Sequence, residues 1–183
     1  MAFLCYARIL LIKMNKRKEA AKWILFALAI LLNAFIIINS CMNGNQSSAE
    51  SGRVTNIIKN IINFFIHNAI NDSNYETFHG VIRKLVGHFG LFLLDGVIVS
   101  WDIHFLIQKK WWIKLIISLS FGLLIGIITE TIQLSVPGRS GEITDVLIDF
   151  SGYLLGALMI GLILFFIIRN FRKKKALDAQ ANN

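Results

Sequence analysis

The stretch Gly122–Gly161 reads GLLIGIITETIQLSVPGRSGEITDVLIDFSGYLLGALMIG. Two long apolar runs meet at a short polar turn that holds the chain's only proline, Pro137. Glu130, Gln133, Arg139, Glu142, Asp145 and Asp149 sit at the edges of that turn. An ionisable group inside a membrane span is costly, so it marks a functional site by default. Residues three and four apart share a helix face. Gly122, Gly126, Glu130 and Gln133 therefore make one stripe, and Asp145, Asp149, Gly152 and Gly156 make another. Small residues at four-residue spacing let helix backbones approach closely in lipid. The spacing predicts a helical hairpin whose stripes face each other, with Gly126 and Gly152 lining the contact. The acidic groups then meet just beneath one membrane surface, and Arg139 in the turn is long enough to pair with Glu130 or Asp145.

On either side of the turn the runs are long enough to span. Ile113–Leu134 reads as the third span and 146–168 as the fourth, stopped by Arg169, Arg172, Lys173, Lys174 and Lys175. Upstream, Arg83–Trp101 reads as the second span. Lys84, His88, Leu91 and Asp95 fall on one stripe of it, and such a stripe has to point into protein rather than lipid. Arg83 and Lys84 could instead snorkel to the interface. Trp101, Trp111 and Trp112 form an aromatic belt around the intervening loop. Further back, apolar residues from Val54 to Ile70 recur at three- and four-residue steps, with Asn, Lys and His67 on the other face. That pattern predicts an amphipathic helix lying in the interface or packed on the bundle's edge. Residues 43–53 read as a polar loop. Trp23–Ile38 is an apolar run broken only by Asn33, and reads as a retained first span. A lipoprotein-type cleavage before Cys41 is the alternative. Residues 1–13 could be an extension upstream of a start at Met14.

The fold class is thus all-α: a polytopic membrane bundle of four transmembrane helices and one amphipathic interfacial helix. Its parts are a basic N-terminal segment (1–22), a transmembrane domain (23–168) and a basic tail (169–183). At 183 residues, 55% hydrophobic and mean hydropathy +0.61, the chain is too apolar for an ordinary soluble domain. Its two cysteines imply no disulfide framework. The net charge of +8 is better explained by flanking charge than by nucleic-acid binding. Fourteen of the nineteen Lys and Arg lie at 8–22, 109–114 and 169–175, and five lie on the other side. The richer side is cytoplasmic by the positive-inside rule. Both termini are then inside a cell membrane, and the Pro137 turn faces outward.

The segment ETIQLSVPGRSGEITDVLIDFSG resembles the VanZ-like family of bacterial membrane proteins. The residues that carry the resemblance are Glu130, Gln133, Pro137, Arg139, Asp145, Asp149 and Gly152, with Lys84 and His88 of RKLVGHF upstream. Asp149 stands where asparagine is common in the family, which adds a negative charge. The resemblance runs from the first span to the fourth. It implies a cell-envelope role, since the family's founding member is linked to teicoplanin resistance.

The candidate ligand-binding set is Arg83, Lys84, His88, Glu130, Gln133, Arg139, Asp145 and Asp149. Arg139, Arg83 and Lys84 could hold a phosphate or carboxylate, and the acids could meet hydroxyl, amine or sugar groups. The expected partners are membrane lipids and an outer-leaflet amphiphile, a cell-wall precursor or a glycopeptide. A second class is an integral-membrane hydrolase or transferase, with Glu130, His88 and Asp145 as catalytic candidates. A third is a small proton-linked transporter that uses Asp95 to extend the polar path inward. A fourth is a purely structural network of pairs. No cofactor and no metal are assigned, although a divalent ion on Glu130, Asp145, Asp149 and His88 is conceivable.

Overall fold

The computed structural model describes the backbone of residues 2–181. It describes side chains for residues 19–167 and for Arg169, Asn170, Lys173 and Gln180. Five helices follow in order. α1 is Ala2–Ser40, α2 is Gly44–Phe65, α3 is Tyr75–Leu106, α4 is Trp111–Leu134 and α5 is Ile143–Ala181. Four of them are long and apolar enough to cross a membrane: Glu19–Ser40 within α1, all of α3 and α4, and Ile143–Ile167 within α5. α2 is the amphipathic fifth. Ile57, Ile61, Phe64 and Phe65 stand exposed along it while Thr55 is wholly buried, so its apolar edge is left for the membrane interface.

The expected loop at 43–53 is helical instead. Asn43 caps α2, with its side chain accepting from the Gln46 N–H at 2.9 Å and the Gln46 side chain accepting the Asn43 N–H at 3.4 Å. This reciprocal capping box satisfies two backbone donors that a helix start otherwise leaves unpaired, and so a polar sequence enters a helix. The second span is also longer than expected, beginning at Tyr75 rather than Arg83. Its middle, Arg83–Gly90, is a π-helix. The basic tail continues α5 as helix to Ala181.

The predicted glycine contact is corrected. A Cβ on Gly126 would meet Asp149 and Val146 of α5 at ordinary distances of 3.7 and 3.9 Å. Gly152, however, packs against the backbone carbonyl of Phe89 on α3, not against α4. Gly156 likewise faces the backbone of Leu93 and Val97, and Gly96 of α3 faces the backbone of Tyr153. α3 and α5 therefore approach backbone to backbone, and a side chain at any of these three glycines would overlap main chain. α4 is held off by Tyr153, whose buried ring fills the hollow over Gly122. The Tyr153 hydroxyl lies 3.0 Å from Ser118 Oγ, which lies 2.7 Å from Ser100 Oγ. One side chain thus ties α3, α4 and α5 together.

Candidate functional site

The site forms where the α4–α5 turn closes over α3. The turn leaves α4 through the Ser135 and Val136 N–H groups, which bond back to Ile132 and Gln133, and it reverses at Gly138, where φ is +73°. It docks on the start of α2, where the Gly44 N–H donates to the Pro137 carbonyl at 3.1 Å. A Cβ on Gly44 would overlap the Gly138 carbonyl, so this approach needs glycine.

His88 is the centre. The π-helical segment carries it, and such segments often occur at functional sites because they re-aim side chains. Its Nδ1 lies 3.1 Å from Asp149 Oδ1, and its Nε2 lies 3.7 Å from Asp145 Oδ2. Lys84 Nζ reaches Asp145 Oδ1 at 3.0 Å and Glu142 Oε2 at 3.3 Å. Glu130 Oε2 accepts the Glu142 backbone N–H at 3.0 Å. His88, Glu130, Gln133, Asp145 and Asp149 are buried, while Lys84 is exposed. Among the described residues, Glu130 Oε1 and Gln133 Oε1 have no hydrogen-bond partner. Outside the spans, the Glu142 carboxyl is held below its ordinary range by hydrogen bonds from Thr144 and Lys84.

Arg139 does not reach Glu130 or Asp145. Its Nη1 donates to Ser47 Oγ on α2, and its Nε is buried without a partner among the described residues. The docking of the turn on α2 points the guanidinium that way. Burial, and then the nearby charge of Arg83, push Arg139 below the ordinary guanidinium range. Arg83 is half-buried and lines the same cavity as Arg139.

That cavity is about 270 Å³. Arg83, His88, Gln133, Arg139 and Asp149 are among its polar lining, with Ser47, Glu50 and Ser51 of α2. Phe35, Ile36, Val54, Val86, Leu91 and Phe92 are among its apolar lining. Glu130, Lys84 and Asp145 lie outside it, beyond the His88–Asp149 pair. Sequence reading missed the α2 contributors because it took them for loop. The Asn43-x-x-Gln46 capping pattern was the available signal.

Asp95 stands apart from the cluster. Asn33 Nδ2 of α1 donates to its Oδ1 at 2.8 Å, and among the described residues no hydrogen bond or ion pair joins it to His88. The stripe drawn from Lys84 to Asp95 assumed regular α spacing. A π turn adds a residue and rotates the remainder of the helix by about 100°.

Residues 24–168 match the VanZ/LLP1 family. The chain belongs to that family. No curated protein and no solved structure shows a match. With four membrane-capable helices, this is a VanZ-like membrane protein.

Proposed function

We propose that this VanZ-like protein binds the anionic head group of an outer-leaflet amphiphile, a lipid or a lipid-linked cell-wall precursor. One observation carries the reading: Arg83 and Arg139 share one cavity, each opposing the other's charge, and Arg139 Nε is buried without a partner among the described residues. Two half-buried guanidiniums in one cavity favour a phosphate or carboxylate, which can take paired N–H donors from both. The apolar side chains that line the cavity suit the first part of an alkyl chain, while Ser47, Glu50 and Ser51 suit hydroxyl or amine groups on the head. At about 270 Å³ the cavity is near the low end of small-ligand pockets, far below a whole glycopeptide. Resistance of the teicoplanin type would then act through the precursor or lipid and not through sequestration of the drug.

The test is thermal unfolding in a neutral detergent with added dodecyl phosphate. A ligand that binds only the folded state raises Tm with its concentration. The wild type should gain several degrees and Arg139→Met should gain none, with dodecyl maltoside inert for both. Equal gains for wild type and variant would overturn the reading.

A second reading is favoured by the His88–Asp149 pair. Asp149 at Nδ1 fixes the ring and leaves Nε2 facing Asp145 and Glu130, which suits a hydrolase or transferase acting on the bound head group.

A further inference from the structure

We propose that His88 Nε2, Glu130 and Asp145 form a divalent-metal site that takes Mn²⁺ or Zn²⁺. The three residues come from α3, α4 and α5, and one donor atom from each lies within 4.8 Å of the other two. Two donors held about 2.1 Å from one ion stand about 3.0–3.4 Å apart. His88 Nε2 and Asp145 Oδ2 are already 3.7 Å apart, so a small inward movement completes that edge.

Three further features point to a cation. Asp149 bonds Nδ1 at 3.1 Å, the carboxylate–histidine–metal arrangement that orients a ligating imidazole and raises its basicity. Glu130 is 5% exposed, and its Oε1 has no partner among the described residues, so a ligand oxygen is available. Glu130, Asp145 and Asp149 are each at most 5% exposed, and the basic groups within ion-pair reach of Asp145 and Asp149 are Lys84, whose side chain is 46% exposed, and the His88 imidazole. Carboxyls buried this close together are stabilised as anions by a compensating cation among them. One imidazole with carboxylates suits Mn²⁺ or Zn²⁺ better than Ca²⁺, which takes oxygen ligands.

Lys84 is the competitor. Its ammonium sits 3.0 Å from Asp145 Oδ1, on the oxygen away from His88, and it is exposed enough to swing out when an ion enters. Its removal should therefore strengthen cation binding. Glu130 and Asp145 do not line the amphiphile cavity, so the inference goes beyond the lipid reading, and each can fail alone.

The experiment is Mn²⁺ titration of the purified full chain, without tag and with no added amphiphile, followed by electron paramagnetic resonance. Wild type should bind one equivalent, with nitrogen hyperfine coupling that disappears in His88→Leu. Glu130→Gln and Asp145→Asn should each weaken binding tenfold or more, and Lys84→Met should tighten it severalfold. No saturable binding by wild type, or unchanged binding in Glu130→Gln and Asp145→Asn, would overturn the proposal. Should those variants fail to fold, Lys84→Met decides: tighter binding upholds the site, and unchanged or weaker binding ends it.

Discussion

Glu130 and Asp95 are both buried carboxylates, yet their surroundings predict opposite responses to substitution. Glu130 accepts one backbone N–H through Oε2, and its other oxygen has no partner among the described residues. Glu130→Gln keeps an acceptor for the Glu142 N–H and removes a buried charge, so Tm should hold within a few degrees. Through its place in the cluster with His88 and Asp145, not in the amphiphile cavity, the change should abolish function, read as glycopeptide sensitivity or precursor turnover against a deletion strain. Lost stability with retained function per folded molecule would make Glu130 a structural residue. Asp95 instead takes a 2.8 Å bond from Asn33, a joint between α1 and α3. Asn33→Leu strands a buried carboxyl and should cost about 1–3 kcal/mol, seen in chemical unfolding, without changing dodecyl phosphate binding. The sequence showed that Glu130, Gln133, Asp145, Asp149 and His88 lie on the inner faces of spans, because lipid penalises polar groups elsewhere. It did not show which partner each would take. Arg139 has the length to reach either the acids or α2, and only the docking of the turn on Gly44 decides for Ser47.

Glycines decide the packing of the helices, and the structure separates those that matter. Gly152 abuts the Phe89 carbonyl, whereas a Cβ on Gly161, nine residues further along α5, would meet nothing within 4 Å. Gly152→Leu should therefore sharply lower Tm in detergent, and Gly161→Leu should leave it nearly unchanged. Similar losses for both would mean that α3 and α5 are not in backbone contact. At this scale the sequence was legible in kind and not in pairing. Four apolar runs and one amphipathic run announced five helices, because period and length are local properties. Two devices escaped it. The capping box at Asn43 turned an apparent loop into helix, and the π segment at 83–90 broke the regular α spacing on which the Lys84–Asp95 stripe was drawn. The partner of a glycine stripe is a tertiary fact, fixed here by the bulk of Tyr153 over Gly122.

Taken whole, the molecule places its polar cavity and its charged cluster at the end of the bundle that carries the Pro137 turn. From the charge count we propose that this end faces outward. In a chain lacking its native cysteines, a cysteine at Ser140 should be labelled by an impermeant reagent from outside, and one at Ala176 should not. The reverse pattern would place the cavity in the inner leaflet and change the class of lipid it meets. The central claim is that the cavity at Arg83 and Arg139 holds an anionic amphiphile, and native mass spectrometry of protein released from its own membrane tests it most directly. Wild type should retain one lipid-sized phosphate-bearing adduct, and Arg139→Met should release it at the same collision energy. An unadorned wild-type mass, or the same adduct retained equally by the variant, would contradict the account.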